Sequence, residues 1–168
     1  GSTDIIVHGY GHLDHIKPGM KWVVMEKLTP ITELIPAGKQ LDLDVQEINN
    51  FLSKFLSEKT RKFYRDPEFA DSPIVKQIKQ FDDATDKAAW LQKHAPKSEA
   101  ISADTQDKLI RDLYIFFRDN PEVLGDVHSG NIGWNGEVFK VFDISRGKRD
   151  DTLKESVIKK HLIRVRIT

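Results

Sequence analysis

The feature that most constrains this chain is a turn-rich stretch, residues 124–145, in which the chain folds back on itself. Ile132-Gly133-Trp134 is a short apolar run, and the Asn135-Gly136 pair that follows is the strongest sequence signal for a two-residue hairpin turn. Residues 137–142 then read as the returning strand. The sequence therefore predicts a β-hairpin with a polar loop in front of it.

Polar side chains lie at both ends of this predicted hairpin. Asn131 begins its first strand and Asp143 follows its second, so the hairpin brings the two side chains together. Asp126 lies five residues before Asn131, on a loop with Gly and Ser that can turn toward the same point. Oxygen ligands of this kind suit Mg²⁺, and a further carboxylate beside the metal suits a base that takes a hydroxyl proton. The pattern predicts a magnesium site at Asn131 and Asp143, with Asp126 as the base.

The loop 125–131, Gly-Asp-Val-His-Ser-Gly-Asn, resembles the catalytic loop of the protein-kinase-like superfamily. Its Gly-Asp-x-His-x-x-Asn form is typical of aminoglycoside phosphotransferases, choline kinases and related atypical kinases. Asp143-Ile144-Ser145 stands where these proteins have their metal-binding Asp motif. The resemblance implies ATP and Mg²⁺ as cofactors, Asp126 as the catalytic base, and Asn131 and Asp143 as ligands of the metal beneath the nucleotide phosphates.

Two positions depart from the family pattern. Leu124 stands where many relatives have His, and Ser145 stands where the protein kinases have Gly. A Gly-Asp pair before a hairpin also occurs without any site, since Asp often serves as a turn residue. For His128 the sequence favours a residue that orders the loop by hydrogen-bonding its backbone over a metal ligand or proton carrier, and for Trp134 it favours the core.

A second segment, residues 25–30, is similar to the hinge that joins the two lobes of a kinase. In that family the hinge backbone binds adenine, which implies the same role for Glu26, Lys27 and Leu28, here called the hinge segment. The residues before it contain no glycine-rich loop and no phosphate-pairing strand lysine, which kinases place there. The resemblance therefore divides the chain into residues 1–28, a remnant of N-lobe strands with the hinge, and residues 29–168, a helical C-lobe.

The remaining sequence predicts further strands and helices. Ile5-Ile6-Val7 and residues 21–25 are β-rich runs. Apolar residues recur at three- and four-residue steps from Leu41 to Phe69, from Pro73 to about Gln92, and from Asp104 to Asn120. The predicted fold class is α+β and mostly helical: a protein-kinase-like C-terminal lobe with a short N-terminal β-hairpin and a catalytic β-hairpin.

Polar residues suggest how some of these elements begin and what joins the first two strands. Asp42 or Asp44 is a candidate cap for the first long helix, and Ser102 or Thr105 for the last. The connection between the two N-terminal strands is predicted to carry His8, His12 and His15. A solvated histidine-rich connection is favoured over a zinc site, because no cysteine and no HExxH spacing accompanies it.

Composition limits the function classes. The 168 residues include 26 Lys and Arg against 26 Asp and Glu, so the total charge shows no nucleic-acid footprint. There are no cysteines, which excludes disulfides and thiolate metal sites, and no apolar run approaches membrane-spanning length. We therefore expect a cytoplasmic location, with neither nucleic acid nor a membrane as partner. Gly1-Ser2 looks like a cloning remnant, so the natural chain is expected to begin further upstream.

Several alternatives stay open. The phosphate acceptor is a small molecule or a protein, and Asp82, Asp83 and Asp86 form either an acceptor-binding surface or an exposed helix face. The chain is a fragment of a longer kinase, a reduced kinase completed by a missing N-lobe or a partner chain, or a non-catalytic pseudokinase that serves as an interaction domain. A calcineurin-like metallophosphoesterase, whose metal site also starts with a Gly-Asp-x-His motif, is less favoured because the downstream metal ligands that it needs are missing.

Overall fold

A computed structural model of the protein describes residues 2–35 and 39–142. Asp143 lies outside the described residues. So do the basic run at 146–149 and a last helix that the sequence predicts after it from the spacing of Leu153, Val157, Ile158 and Leu162. The elements in chain order are β1 (Val7–His12), β2 (Lys21–Met25), β3 (Thr29–Pro30), α1 (Ile31–Leu34), α2 (Lys39–Leu56), α3 (Glu58–Tyr64), α4 (Pro73–Asp83), α5 (Lys87–His94), α6 (Ala103–Asp119), β4 (Ile132–Trp134) and β5 (Phe139–Val141).

The described residues form an α+β fold that is mostly helical, as the sequence predicts, with two small antiparallel sheets. In the first sheet β1 pairs with β2. In the second, the order is β3-β4-β5, with Thr29 opposite Trp134 and Gly133 opposite Lys140. The hinge segment connects the two sheets, because it follows β2 directly and precedes β3. None of the helices within the described ranges is both long and apolar enough to cross a membrane.

The N-terminal hairpin differs from its prediction in where its first strand lies. β1 starts at Val7 rather than running over residues 5–7, so His8 and His12 are strand residues and only His15 belongs to the connection. The connection closes on itself, since the Leu13 N–H donates to the Met20 carbonyl at 2.7 Å. This closure lets β1 extend to His12, which pairs with Lys21 at the start of β2.

The predicted long helix over 41–69 is wrong as a single element. α2 ends at Leu56, because Ser57 adopts an extended backbone and its side chain caps α3 by accepting from the Thr60 N–H. α3 ends at Tyr64, and Asp66 caps a separate 3-10 turn over Pro67–Phe69. The candidate caps Asp42 and Asp44 are also wrong, since α2 begins at Lys39 and both carboxylates bind side chains elsewhere in the fold.

The second predicted helix, from Pro73 to about Gln92, is likewise two helices. Ala84 leaves the helical conformation at the end of α4, and the Asp86 carboxylate caps α5 by accepting from the Ala89 N–H at 3.0 Å. Polar capping residues therefore override a continuous apolar period. The third predicted helix is confirmed as α6, which begins at Ala103 with Ser102 as its cap.

Aromatic side chains from three helices form the centre of the core. The Phe55 ring of α2 packs against the Phe81 ring of α4 and the Trp90 ring of α5, with 5.1 Å and 5.0 Å between the ring centroids. The buried face of α6 completes this core, and it also packs beneath β5. Because α6 supports both the core and β5, it fixes the hairpin 132–142 relative to the helices. The residues of that face include Leu109, Ile110, Leu113 and Phe117.

The hairpin 132–142 has a longer turn than predicted. Trp134 pairs with Phe139, so four residues rather than two form the loop. The Asn135 carboxamide oxygen accepts from the N–H groups of Glu137 and Val138, both at 2.8 Å, which stabilises a wider turn. Gly136 in that turn has a φ of +99°, a conformation that favours glycine.

A buried acid joins α6 to β5. Asp112 Oδ2 accepts from the Phe139 N–H at 2.8 Å, between two elements 27 residues apart. Burial raises the pKa of the Asp112 carboxyl above its ordinary value, and the Phe139 N–H and the Arg111 and Lys108 charges only partly oppose that rise. The carboxylate is therefore a structural acceptor held at an electrostatic cost.

This pKa direction gives a pH-dependent prediction. Because the folded-state pKa of Asp112 lies above its unfolded value of about 3.9, the parent loses stability as pH rises from there through the folded-state pKa. Asp112→Asn keeps an acceptor without the charge, so its free energy of unfolding, relative to that of the parent, should increase between pH 4 and pH 7. Chemical denaturation at several pH values measures this difference.

Asp112→Ala is the matched control, because it leaves the Phe139 N–H without its acceptor. We expect that variant to lose about 1–3 kcal/mol at pH 7, well below Asp112→Asn. Equal stabilities for the Ala and Asn variants would show that the hydrogen bond contributes nothing. An unchanged pH profile in Asp112→Asn would show that the acid is not the titrating group.

Candidate functional site

The loop 125–131 leaves α6 through a short 3-10 turn and enters β4. Gly125 has a φ of +96°, which lets the chain reverse immediately before the predicted base. The Asp126 N–H donates to the Val123 carbonyl at 3.1 Å, closing this turn. Asp126 is exposed and Val127 is buried, so the loop is anchored in the core beside a carboxylate that faces solvent.

Within the loop, His128 and Asn131 fix each other's backbone. His128 Nδ1 accepts from the Gly130 N–H at 3.0 Å, and Asn131 Oδ1 accepts from the His128 N–H at 3.3 Å. A Cβ added at Gly130 would lie 2.8 Å from the His128 ring, so the glycine is needed for the ring to lie over it. The predicted loop-ordering role of His128 is confirmed.

Two side chains of α2 form hydrogen bonds with the loop 125–131. The Asn49 Nδ2 donates to the Val127 carbonyl, and the Ser129 hydroxyl donates to the Asp42 carboxylate. Asp42 and Asn49 are seven residues apart, two helical turns, and so lie on the same face of α2. Asn49 is fully buried, and its Oδ1 has no hydrogen-bond partner among the described residues. The position of the loop therefore depends on a helix that is distant in sequence.

The hairpin brings Asn131 close to the end of its returning strand, as predicted. The Phe142 N–H donates to the Asn131 carbonyl at 2.8 Å, which continues the β4-β5 pairing by one step. Asp143, the next residue and the second predicted metal ligand, lies outside the described residues. The described returning strand therefore reaches Asn131 through Phe142, the residue before Asp143.

The hinge segment lies against the same hairpin. A Cβ added at Gly133 would lie 2.7 Å from the Leu28 Cβ and 3.1 Å from the Phe142 ring, so Leu28 packs directly on this glycine. β3, which follows the hinge segment, then pairs with β4. The hinge segment precedes β3, and the loop with Asp126 and Asn131 precedes β4. Because β3 and β4 are paired, the predicted base and the predicted metal ligand belong to the same structural unit as the hinge segment.

The side chain of Glu26 has a role that the sequence does not reveal. Glu26 Oε1 accepts from Lys140 Nζ at 2.6 Å and from the Ile6 N–H at 2.9 Å, while the Glu26 N–H donates to the Ile6 carbonyl at 2.9 Å. Lys27 is exposed and Leu28 is half-buried. Neither has a main-chain hydrogen bond to any residue in the ranges 2–35 and 39–142.

Two of the three acids considered as an acceptor-binding surface, Asp82 and Asp86, have structural partners. Asp82 forms a two-point ion pair with Arg61 of α3, with Nη1 to Oδ2 at 2.9 Å, and Asp86 caps α5. The Lys87 ammonium lies beside them and donates to the carbonyls of Asp82 and Ala84. These contacts favour the interpretation of the cluster as a helix junction.

Two oxygen-bearing side chains in the described part of the site are of the type that binds a hard cation such as Mg²⁺. The described part of the site offers the Asp126 carboxylate and the Asn131 amide oxygen, both of the type Mg²⁺ takes. Asn131 Oδ1 accepts a hydrogen bond from the His128 N–H. No group of three or more His, Cys, Asp or Glu residues suited to a metal occurs in the described residues. Such a small ligand set would leave the remaining positions of the metal to phosphate and water.

Comparison of the chain with protein-family models, with curated proteins and with solved structures found no match. The kinase-like resemblance therefore rests on the sequence of the loop 125–131 and of the hinge segment.

Sequence reasoning missed the side chains that support the site: Asp42, Asn49, Asp112 and Lys140. A signal existed for Asn49, because it is a polar residue within the apolar stripe of α2, four positions after Val45. For Lys140 the signal was its alternation with buried Phe139 and Val141 in a strand buried on both faces. Neither pattern identifies the partner, which lies 78 residues away for Asn49 and 114 for Lys140.

The contact between α2 and the loop gives a stability prediction. Asn49→Ala removes the donor to the buried Val127 carbonyl and should lower the free energy of unfolding by about 1–3 kcal/mol. Asn49→Asp, which has nearly the same shape, places an acceptor against that carbonyl and should be less stable than Asn49→Ala at pH 7. Urea denaturation of the three proteins measures both effects.

Asn50→Ala on the same helix is the matched control. Its side chain is exposed and bonds only to Gln46 at 3.0 Å among the described residues, so we expect a change within about 0.5 kcal/mol. If Asn49→Asp were as stable as the parent, the assigned hydrogen bond to Val127 would be wrong.

Proposed function

We propose that the protein is an ATP-dependent phosphotransferase of the kinase-like type, which transfers the γ-phosphate to a hydroxyl of a small molecule or a protein. The observation that supports this most strongly is the β3-β4-β5 sheet. It joins the strand after the hinge segment to the hairpin after the loop 125–131, so that the two segments resembling a kinase site lie on one framework. Nothing in the local sequence of either segment requires this pairing.

The hinge segment is the proposed adenine site. Its main chain at Lys27 and Leu28 is not used by the described residues, and Leu28 lies over Gly133 in the sheet. A purine base presents both a donor and an acceptor along one edge, which matches unpaired main-chain groups of a connecting strand. Recognition through backbone atoms would also explain how an exposed Lys27 can belong to the site.

The loop 125–131 is the proposed site of the chemistry. Mg²⁺, when bound, would neutralise the phosphate charge that develops during transfer, and Asn131 and Asp143 would hold it. Asp126 would orient the acceptor hydroxyl and take its proton as the hydroxyl oxygen bonds to the γ-phosphorus and the bond to ADP breaks. The exposure of Asp126 supports this role, because a second substrate must be able to reach the base.

The phosphate-binding part of a kinase N-lobe has no counterpart in this sequence. The proposal therefore includes a missing N-lobe or a partner chain that supplies cationic and main-chain contacts to the phosphates, since positioning and electrostatics carry most of phosphoryl transfer. Such an enzyme would find its ATP in the cytoplasm, the location expected from the sequence.

One observation favours a second candidate, a non-catalytic domain of the same architecture. Asn131 is 6% exposed and its Oδ1 already accepts from the His128 N–H, so its side chain has a structural use in the absence of any metal. A pseudokinase that serves as an interaction domain would keep Asn131 for this reason alone. It would also place no demand on Asp126. No observation on the described residues favours the metallophosphoesterase alternative.

Ligand-induced stabilisation tests the proposed function. Mg-ATP at 100 times its dissociation constant should stabilise the parent by about 2.7 kcal/mol, which raises Tm by roughly 5–10 °C for a chain of this size. Asp143→Ala should lose this shift because it removes a metal ligand. Asp126→Asn should keep the shift and lose phosphate transfer, measured as acceptor phosphorylation or as slow hydrolysis with water as acceptor.

The metal and the nucleotide are each tested alone as controls. We expect neither Mg²⁺ nor ATP by itself to give the full shift, because Asn131 and Asp143 would hold the phosphates only through the metal. A parent that shifts with Mg-ATP while Asp126→Asn retains its transfer rate would remove Asp126 from the base role. The absence of any shift in the parent would contradict nucleotide binding by this chain.

A further inference from the structure

Lys140 is a buried lysine in the sheet that joins the hinge segment to the loop 125–131. It lies on β5 directly opposite Gly133, and its side chain is 2% exposed. Directly opposed residues of an antiparallel pair share a face, so Lys140 lies on the face of the sheet that Leu28 covers at Gly133. Phe142, two residues further along the strand, lies on the same face. The lysine therefore lies beneath the hinge segment.

The ammonium of Lys140 holds the first residue of that segment. Its Nζ is 2.6 Å from Glu26 Oε1, and the Glu26 carboxylate is only 12% exposed. Two further hydrogen bonds join Glu26 to Ile6, one to the carboxylate and one from the main-chain N–H. The side chain of Glu26 thereby binds Lys140 in the second sheet, and its main chain binds Ile6, the residue that precedes β1 of the first sheet.

The energetics of a buried ion pair point to positioning more than to stability. Removing lysine and carboxylate from water is costly, and a well-packed apolar pair of similar volume is often as stable. What an ion pair adds is a fixed geometry, since one short contact between charges selects a single arrangement of the two segments. Here the arrangement so fixed is that of the hinge segment relative to β4 and β5.

We infer that Lys140 is a positioning residue for adenine recognition: through Glu26 it presents the main chain of Lys27 and Leu28 to the base of the bound nucleotide. This inference rests on the proposed function. It makes a distinction that the proposed function does not make, because the base would depend on Lys140 while the phosphates, bound with Mg²⁺ at Asn131 and Asp143, would not.

The test compares Mg-ATP with Mg-tripolyphosphate, which has the three phosphates and lacks the base. Lys140→Met fills the same space without the charge, and it should raise the Kd for Mg-ATP by about tenfold or more, the loss of one to two hydrogen bonds. The Kd for Mg-tripolyphosphate should stay within about twofold. Calorimetric titration of the full chain, well below its Tm, measures both constants.

Two further variants keep the test decisive. Glu26→Gln retains an acceptor for Ile6 and removes the charge that Lys140 binds, so it should weaken Mg-ATP in the same direction even if Lys140→Met folds poorly. Lys21→Met removes a lysine from β2 of the neighbouring sheet and should leave both constants unchanged.

The outcomes separate this inference from the proposed function. Loss of Mg-ATP affinity with retained Mg-tripolyphosphate affinity supports a role in base recognition. Equal losses for both ligands, or no loss for either, overturn the role of Lys140 while leaving nucleotide binding by the parent in place. A parent that binds neither ligand overturns the proposed function, and the inference with it.

Discussion

The pairing of β3 with β4 is the constraint on which the rest of the site depends. β3 is only two residues long, and it follows the hinge segment near the start of the chain, while β4 follows the loop 125–131 near the end of the described residues. A pairing of only two residues on each strand is a weak sheet by itself. The contact of Leu28 with Gly133 and the Lys140–Glu26 ion pair together fix where the hinge segment can lie relative to this pairing.

Helices supply the rigidity that these short strands lack. α6 packs beneath the hairpin and binds β5 through the hydrogen bond of Asp112. α2 binds the loop 125–131 through the hydrogen bonds of Asp42 and Asn49. The loop is therefore ordered by the protein alone, with Asp126 left exposed at its turn. Preorganisation of this kind suits phosphoryl transfer, in which the protein contributes positioning more than covalent chemistry.

The sequence predicted what depends on local pattern and failed where a distant partner decides. The α+β class, α6 with its Ser102 cap, the hairpin and the role of His128 all follow from periodicity, capping and turn chemistry. Apolar period alone could not locate the breaks at Ser57 and Asp86, because at each break a single capping side chain begins the helix that follows. The contacts of Asn49 and Lys140 could not be predicted, since their partners are set by the packed fold and not by neighbours in sequence.

The central claim is that the hinge segment and the loop 125–131 bind two ends of one nucleotide. Hydrogen exchange of the full chain, with and without Mg-ATP, tests it most directly because it reports on individual backbone amides. The account predicts slower exchange at Lys27 and Leu28 and also at residues 128–131 when the ligand is bound, with the amides of α3 and α4 unchanged. Protection at only one of the two segments, or at neither, would contradict a shared site.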